Sequence, residues 1–537
     1  MSHPPQYTRR SMSKSRCITT PIYYVNDRPH IGHVYTTTLC DAWARAMRLA
    51  GDEVFFLTGT DEHGVKVEQS ARDKGMDPQA LADLNSAEFR KAMELFELTN
   101  DEFIRTTDPD HIRQVQLFVK KLMDRGDIYL GEFEGWYDRG QEEYITENRA
   151  RELDYKSPIS GKPLEREKQS NYYFRLSAYQ DRLEKLFADQ PNFVRPEARR
   201  NEVLGRIREG LQDVPVSRTN FSWGIPMPGD EEHVIYVWID ALFNYATALG
   251  LAEAGSERHA ARGHFWPADL HVIGKEILWF HAVIWPAMLM ALDLPLPGGI
   301  HAHAFWISEG QKMSKSLGNF VDLPTIEKTI GHYGRDAWRW YLLTQGPLGG
   351  QDADFQRDKF HETYGADLVN TFGNCASRTT AMTVKYFEGE IPAMTDGGRE
   401  PMADRDWPTL TATATERWQA AINRFDLDEA AEAAIGLVRE VDAFINDTEP
   451  FRVAKDDTRR EELAGILGRC LEAVRIAATL LHPFLPDGSQ KCWEALGQSV
   501  DPEFDELDQL AAWGRLTPGT KVQKVALYPR VEPLVAE

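Results

Sequence analysis

The stretch Pro29-His30-Ile31-Gly32-His33 separates a β-rich segment from a helical one. Residues 16–25 are rich in strand-forming side chains, and residues 31–50 repeat apolar positions with a helical period. After Gly51, residues 54–57 form the kind of short apolar run that fills a buried parallel strand. The three segments predict a βαβ unit, and α/β sheets bind ligands at the carboxyl ends of their strands.

The same stretch has the chemistry of a phosphate site. We expect the start of the helix to offer free backbone N–H groups and a positive dipole end. Gly32 would let a nucleotide approach the backbone closely. His30 and His33 can donate hydrogen bonds to phosphate oxygens as negative charge builds in a transition state. Taken alone, the pattern is better explained by two surface histidines at a helix start.

A second α/β pattern follows further along the chain, after a charged, turn-rich segment. This arrangement predicts a domain inserted into a split nucleotide-binding fold. The predicted elements are a strand at 233–238 with a helix to about Leu249, a strand at 270–273 with a helix through Trp279 and Trp285, and a strand at 300–307.

From Asp336 onward the chain is mostly helical by composition. Residues 412–439 and 461–481 are rich in Ala, Leu, Glu and Arg, which are strong helix formers. Residues 397–408 are predicted to be a loop or linker.

A second motif, Lys312-Met313-Ser314-Lys315-Ser316, follows the strand predicted at 300–307 and the turn Glu309-Gly310. Two lysines on a loop can neutralise a leaving pyrophosphate. Four or five letters alone prove little, so the argument depends on the pairing of this motif with the first one.

Composition limits the function classes. The 537 residues contain 61 Lys and Arg against 83 Asp and Glu, which gives a net charge of −22. This charge argues against a nucleic-acid coat protein and against binding to an anionic membrane, but not against an enzyme with local basic patches. The five cysteines include no C-x-x-C pair, and the most apolar segment, 277–292, is shorter than the roughly 18 residues of a membrane helix. We expect a cytoplasmic protein with no membrane partner.

The two motifs resemble the HIGH and KMSKS signatures of the class I aminoacyl-tRNA synthetases. Other blocks resemble the methionyl-tRNA synthetases within that class, and the resemblance extends over essentially the whole chain. These blocks are Thr19-Thr20-Pro21-Ile22-Tyr23-Tyr24-Val25-Asn26, Gly59-Thr60-Asp61-Glu62-His63-Gly64, Tyr236-Val237-Trp238-Ile239-Asp240-Ala241, and Ile273-Gly274-Lys275 through Phe280-His281.

The resemblance implies ATP-dependent attachment of L-methionine to tRNA(Met), including the initiator tRNA. The methionine carboxylate would attack the α-phosphate of ATP, carried with Mg²⁺, to give methionyl-adenylate and pyrophosphate. The terminal ribose of the tRNA would then take the methionyl group and release AMP. Such chemistry depends mainly on positioning and charge stabilisation.

The resemblance also implies an α/β fold: a split Rossmann-like domain with an inserted connective-peptide domain, followed by an α-helical anticodon-binding bundle. The implied parts are the first catalytic half at 1–130, the insertion at 131–230, the second catalytic half at 231–310, the KMSKS loop and stem-contact region at 311–365, and the anticodon-binding domain at 366–537.

Site residues follow from the same resemblance. The implied catalytic residues are His30 and His33 at the α-phosphate and Lys312 and Lys315 at the β- and γ-phosphates. ATP binding would add Gly32, Gly274, Lys275, Glu276 and His303. Asp61 would bind the methionine ammonium, and a thioether packs well against the ring edges of an aromatic pocket. The implied side-chain pocket is Pro21, Ile22, Tyr24, Trp238, Ala241, Leu242, Tyr245, Ile277, His281 and Trp285.

The sequence departs from the family in the insertion. Many relatives bind zinc there through C-x-x-C pairs, but Asp138, Gln141, Ser157 and Ser160 occupy the corresponding positions. Because structural zinc prefers thiolate and imidazole, we expect no zinc and no other protein-bound metal.

Anticodon reading is implied for Asn374 and Arg378, whose amide and guanidinium groups suit base edges. The family's Pro-Trp pair is Pro450-Phe451 here, so Phe451 would stack on an anticodon base with less area. The sequence ends soon after residues 524–530, which leaves no room for the oligonucleotide-binding domain of some relatives, and we therefore expect a monomer.

Three alternatives stay open. A synthetase for another amino acid is disfavoured by the blocks around Asp61 and Trp238. A small-molecule nucleotidyltransferase with the His-x-Gly-His fold would lack a helical region of this length. A non-enzymatic tRNA-binding paralogue is disfavoured by the presence of His30, His33 and the two loop lysines.

Overall fold

The structure is a computed structural model that describes residues 13–138, 143–145, 147–311, 313, 319–394, 405–502 and 505–534. No helix in these described ranges is both long enough and apolar enough to cross a bilayer.

The first part of the chain alternates strands and helices, as the predicted βαβ unit requires. The helix predicted from residue 31 is present, and the strand predicted at 54–57 is longer than expected. The elements are β1 (Ser15–Thr19), β2 (Tyr23–Tyr24), α1 (Ile31–Leu49), β3 (Glu53–Asp61), α2 (Val65–Asp73), α3 (Pro78–Leu95), β4 (Glu102–Arg105) and α4 (Pro109–Arg125).

The segment between the two α/β patterns contains an antiparallel sheet of four strands. The long strands β5 and β7 pair along most of their length at its centre. The elements are β5 (Ile128–Asp138), β6 (Glu143–Ile145), α5 (Glu147–Glu152), β7 (Glu165–Phe174), α6 (Gln180–Asp189), β8 (Val194–Arg195), α7 (Glu197–Arg208), β9 (Val214–Pro215), β10 (Ser217–Arg218), β11 (Pro226–Met227) and β12 (Asp230–Ile235).

The second α/β part contains one helix with three kinds of turn. A 3₁₀ turn at Lys275–Ile277 and a π-helical segment at Phe280–Ile284 precede α10, where the sequence predicted one regular helix. The elements are α8 (Val237–Thr247), α9 (Glu257–Arg262), β13 (Leu270–Gly274), α10 (Trp285–Ala291), β14 (Ile300–His303), β15 (Trp306–Ser308), α11 (Leu323–Tyr333), α12 (Arg335–Gln345) and β16 (Ala353–Phe355).

The remainder is helical, and the helical part already begins at α11, before the predicted start at Asp336. A π-helical segment at Tyr364–Gly373 leads from α13 into α14. The elements are α13 (Arg357–Thr363), α14 (Asn374–Phe387), α15 (Trp407–Arg424), α16 (Leu427–Thr448), α17 (Pro450–Val453), α18 (Arg460–Leu481), α19 (Pro486–Ala495) and α20 (Leu507–Leu510).

The central sheet is parallel and joins both α/β parts. Its strands follow the order β4-β3-β1-β13-β14-β8, and β2 extends the β1 side of β3. Strand β8 pairs with β14, although it lies within the predicted insertion at 131–230. The chain therefore returns to the main sheet before the second α/β part begins, and the domain boundaries as such stay predictions.

Two strand predictions are wrong in detail. Trp238 belongs to α8 rather than to the preceding strand, because the extended segment ends at Ile235. The strand predicted at 300–307 is two strands. After β14 the backbone N–H of Ala304 bonds to Pro347, which turns the chain out of the main sheet, and β15 pairs with β16 instead.

The helical region also corrects two predictions. The helix predicted at 412–439 is two helices, because Phe425 adopts a left-handed conformation (φ 62°) that ends α15, with its ring buried in the core. Of the linker predicted at 397–408, residues 397–404 lie outside the described residues. Trp407 and Pro408 form the first turn of α15, which Asp406 caps.

One buried core continues from α1 into the helical bundle. At its centre the Arg339 guanidinium contacts the Asp41 carboxylate at 2.7 Å, and neither side chain is accessible to solvent. Arg339 also donates to the carbonyl oxygens of Pro483 and Phe484 after α18. A buried charged pair therefore fixes α1 against the bundle.

Candidate active site

A cavity of ≈ 470 Å³ opens where the carboxyl ends of β1, β3, β13 and β14 converge, with α8 forming one wall. This is the edge at which the βαβ pattern predicts a ligand. The predicted residues on its wall are Pro21, Ile22, Tyr24, His30, Gly32, His33, Asp61, Trp238, Ala241, Leu242, Tyr245, Gly274, Glu276, Ile277, His281 and His303.

The two histidines of the first motif present outward donors. The Nδ1 of His30 accepts the backbone N–H of Gly32 at 3.0 Å, and the Nδ1 of His33 accepts the backbone N–H of His30 at 3.2 Å. Burial lowers the pKa of His33 well below its ordinary value. With Nδ1 occupied as an acceptor, each ring carries its proton on Nε2, which suits donation to an anion.

The expectation of free N–H groups at the start of α1 is wrong. Ile31 N–H bonds to Val321, Gly32 N–H bonds to the His30 ring, and the next two amides bond to the His30 carbonyl. The helix end is thus capped by its own motif. A Cβ on Gly32 would lie 2.9 Å from the His30 ring, so the glycine makes room for this cap. The first amides of α1 are therefore already bonded within the protein.

Neutral histidines also line the apolar part of the cavity. Burial lowers the pKa of His281 to about 4, and its Nδ1 donates to the carbonyl oxygen of Ile277 at 3.0 Å. Its Nε2 therefore accepts from the Tyr245 hydroxyl at 2.7 Å. Burial likewise lowers the pKa of His303 to about 4, and Thr36 donates to its Nε2 at 2.7 Å. The wall carries little fixed charge apart from Asp61, Glu276 and Lys66.

Two predicted residues do not reach the cavity wall. The Lys275 ammonium contacts Asp352 at 2.6 Å and lies 4.5 Å from the centroid of Phe305. Trp285 is fully buried beside Tyr245, and its indole donates to His271 at 3.2 Å. In both cases a partner distant in sequence holds the side chain, so Trp285 supports the pocket from outside rather than lining it.

Other wall residues escaped the sequence reasoning. Thr36 follows His33 by three residues and Asn244 follows Ala241 by three, so helical spacing could have identified both. Tyr23 lies within one of the quoted blocks, and Lys66 follows another by two residues. The full set is Tyr23, Thr36, Lys66, Val237, Asn244, Ala304, Phe305 and Trp306.

The KMSKS lysines, Lys312 and Lys315, lie outside the described residues. The segment that follows them does reach the first motif. Ile31 N–H bonds to Val321, and the Phe320 ring meets the His30 ring edge-on with centroids 5.2 Å apart. The structure therefore brings residues 320 and 321, which follow the second motif, to the start of α1.

The zinc-position residues are described in part. Gln141 lies outside the described residues, whereas Asp138 and Ser157 are buried. The Ser157 hydroxyl accepts the backbone N–H of Ser160 at 3.1 Å, so a hydroxyl closes the turn that these residues form. Within the described ranges no cluster of three or more His, Cys, Asp or Glu side chains could hold a metal. The absence of zinc stays a prediction, which metal analysis of the purified protein tests.

The predicted anticodon residues lie in the helical bundle. Asn374 and Arg378 are one turn apart on α14. Arg378 contacts Asp442 and Asn446 on α16, each at 3.3 Å. Phe451 lies just beyond the end of α16 with 44% of its surface exposed. The contact of Arg378 with Asn446 places α14 beside the helix end that leads to Phe451.

The fold and the cavity have the features of a class I aminoacyl-tRNA synthetase, and a family model described as tRNA synthetases class I (M) matches residues 16–153 and 150–380. The methionine–tRNA ligase of Streptomyces coelicolor is 44% identical over 538 aligned positions, 98% of each chain. That of Halalkalibacterium halodurans is 42% identical over 531 positions, covering 97% of this chain and 79% of the relative.

A solved structure of Mycobacterium tuberculosis methionyl-tRNA synthetase in complex with methionyl-adenylate superposes with a TM-score of 0.87 at 36% identity. The match covers 96% of this chain and 100% of that one. The chain belongs to the methionine–tRNA ligase family. The predicted fold class, enzyme class and activity, attachment of L-methionine to tRNA through an adenylate, are thereby confirmed.

Proposed function

We propose that the cavity described above binds L-methionine and ATP together and forms methionyl-adenylate. The observation that carries this proposal is the convergence of three chemistries on one wall. Outward imidazole donors, the Asp61 carboxylate and an apolar pocket with neutral histidines all face the same ≈ 470 Å³ space. An anionic nucleotide, an ammonium group and a thioether side chain are their matching partners.

Asp61 is the proposed partner of the methionine ammonium. Its side chain is 7% exposed and stands at the carboxyl end of β3, beside the aromatic wall. Tyr245 and His281 close the pocket around the thioether, because the hydrogen bond between them fixes both rings. The pocket must reject leucine and isoleucine by shape and sulfur contacts together, since one methylene is worth only about 1–3 kcal/mol.

His30 and His33 are the proposed donors to the α-phosphate when the methionine carboxylate attacks it. Charge grows on the phosphate oxygens during that attack, and donors already aimed at them stabilise the transition state. Lys312 and Lys315 are proposed to hold the departing pyrophosphate. Mg²⁺ is proposed to arrive on the triphosphate, because magnesium typically binds through substrate phosphates with one or two carboxylates.

The helical bundle is proposed to read the anticodon of tRNA(Met), including the initiator tRNA, through Asn374, Arg378 and Phe451. An exposed ring, a guanidinium and an amide in one bundle are suited to stack on and bond splayed bases. Cytoplasmic location and a monomeric state belong to the same proposal. Light scattering on the purified protein tests the monomeric state, and charging of purified initiator tRNA tests its recognition.

Methionine-dependent exchange of labelled pyrophosphate into ATP, followed by charging of tRNA, tests the proposal. Exchange should require methionine and should not be supported equally by leucine or by ATP alone. Lys315→Ala should depress adenylate formation far more than it weakens methionine binding. Exchange that proceeds without methionine would contradict the assignment, and equal losses of rate and affinity would contradict the role of Lys315.

A further inference from the structure

Asp240 is a buried carboxylate that the proposed reaction does not use. It lies in the first turn of α8 and is inaccessible to solvent, while its neighbours Val237, Trp238 and Ala241 line the cavity. Its Oδ2 accepts from His63 Nδ1 at 2.7 Å, and its Oδ1 accepts from His111 Nε2 at 2.7 Å. Burial opposes this charge, but the two imidazoles outweigh it and lower the pKa of the carboxyl.

On the His111 side of Asp240, the hydrogen bonds join two helices within the protein interior. The Nδ1 of His111 contacts the Thr247 hydroxyl at 2.8 Å, and Gln114 donates to the Thr247 carbonyl oxygen at 3.1 Å. These bonds join α4 to the far end of α8. Neither His111 nor Thr247 reaches the cavity wall.

On the other side of Asp240, His63 lies close in sequence to Asp61, which lines the cavity. His63 follows Asp61 by two residues in the short loop between β3 and α2. Trp223 packs edge-on against the His63 ring at 5.4 Å and donates to the Glu62 carbonyl oxygen at 2.6 Å. The loop is therefore held by Asp240 of α8 and, through separate contacts, by Trp223.

Glu62, between Asp61 and His63, is anchored to Arg105 and Thr107. The Glu62 carboxylate accepts two hydrogen bonds from Arg105, at 2.7 and 2.9 Å, and a third from Thr107 at 2.5 Å. Asp61 thus precedes two consecutive residues whose side chains are tied to different elements. The His63 bond runs to α8, the helix that carries part of the proposed thioether wall.

We propose that Asp240, acting through His63, is a positioning residue that sets the distance between the Asp61 carboxylate and the α8 wall, and so matches the site to the ammonium and the side chain of one amino acid. This inference rests on the proposed role of Asp61. A buried carboxylate with two 2.7 Å bonds gives a stiff link, because either bond is costly to leave unmade in a dry interior.

Two ligands separate this role from a general structural one. L-methioninol carries the ammonium and the thioether chain, whereas 4-(methylsulfanyl)butan-1-ol carries the same chain without the ammonium. The dissociation constant of the ammonium-free alcohol divided by that of L-methioninol, both measured by calorimetry without ATP, reports the ammonium contact alone. The affinity of the ammonium-free alcohol also shows whether a variant retains a folded pocket.

Asp240→Asn should reduce this ratio by about tenfold while changing the affinity for the ammonium-free alcohol by less than about twofold. His63→Leu should act in the same way. His63→Asn places an amide N–H near the position of the ring Nδ1 and should restore most of the ratio. Thr247→Val is the matched control, because it breaks a buried bond on the His111 side and should leave the ratio unchanged.

The background of Asp61→Asn completes the test. If Asp240 acts through Asp61, Asp240→Asn should reduce the ratio no further in that background. Equal weakening of both ligands by Asp240→Asn, or a further loss in the Asp61→Asn background, would overturn the positioning role. An unchanged ratio in Asp61→Asn alone would overturn the ammonium role as well, and that result is distinct from a failure confined to Asp240.

Discussion

The rings of His30 and His33 lie with their centroids 3.9 Å apart, and His33 accepts the backbone N–H of His30 through Nδ1 at 3.2 Å. His30 therefore caps the start of α1, and its ring lies against the ring of His33. The second ring is fixed by the backbone of the first, so both Nε2 donors are oriented before substrate arrives. Such preorganised donors require little reorganisation during the reaction.

Substitutions at His33 should separate its two functions. His33→Asn keeps an acceptor near the position of Nδ1 but loses the outward donor, so adenylate formation should fall by about 100-fold with little change in thermal stability. His33→Gln keeps an outward N–H and should lose less activity. Single-turnover adenylate formation and thermal unfolding check this pair, and equal rate losses in both variants would contradict the donor role.

Gly32→Ala should impair the reaction through the His30 ring. The new methyl group would lie 2.9 Å from the His30 ring, so the ring must move and take its Nε2 donor with it. We expect about a tenfold loss of adenylate formation, comparable to a misaligned catalytic group.

Gly331→Ala is the matched control for this change. Gly331 lies in α11, where a Cβ would meet no atom within 4 Å. Because alanine favours a helix over glycine, this variant should gain up to about 1 kcal/mol of stability and keep its activity. A rate for Gly32→Ala that matches Gly331→Ala would show that the His30 ring tolerates the methyl group.

Asp41→Asn should strongly destabilise the protein. Burial opposes the charge on Asp41, but Arg45 and Arg339 hold the pKa of its carboxyl below the usual range. Its removal leaves the buried Arg339 guanidinium without its counter-charge, which typically costs about 3–5 kcal/mol. Urea denaturation measures the loss.

An exposed ion pair supplies the comparison for Asp41. Lys120 and Asp124 are paired at 2.9 Å, with more than half of each side chain exposed. Lys120→Gln should change the free energy of unfolding by no more than roughly 0–1 kcal/mol. Comparable effects of the two substitutions would mean that the Asp41 pair adds no more than a surface contact.

Stability should fall in mild acid because His482 is buried as a neutral ring. Burial, with smaller effects of Arg45 and Arg339, lowers its pKa to about 3. Between its unfolded value of about 6.5 and that folded value, the unfolded state binds a proton that the folded state does not. At pH 5 this histidine alone should cost about 2 kcal/mol relative to neutral pH.

His482→Phe removes that titration and keeps a ring beside Trp493, whose centroid lies 5.1 Å away. The variant should therefore lose less stability than the parent between pH 7.5 and pH 5, by about 2 kcal/mol. Asp336 acts in the opposite direction, because burial raises the pKa of its carboxyl to about 6. Parallel pH profiles of the parent and the variant would rule out His482 as a source of acid sensitivity.

Local patterns were sufficient to predict the βαβ unit and a mostly helical region towards the end of the chain, whereas most of the cavity wall was implied by the family resemblance. Parallel strands end at one edge of a sheet, so residues that directly follow β1, β3, β13 and β14 had to converge once those strands were identified. The motifs around His30 and Asp61 lie at such strand ends. The order of these motifs along the chain therefore predicted the location of the site, and the family resemblance implied the roles of its residues.

Contacts between distant residues decided the rest. Lys275 turns to Asp352, 77 residues away, and Trp285 is held behind Tyr245 by His271. The capping of α1 by His30 and the break at Phe425 likewise depend on side-chain packing rather than on helix propensity. The sequence by itself determined which residues lie at the strand ends and hence the family and its reaction. Only the tertiary structure decided which side chains face the cavity, because burial and long-range hydrogen bonds fix a rotamer that no local pattern encodes.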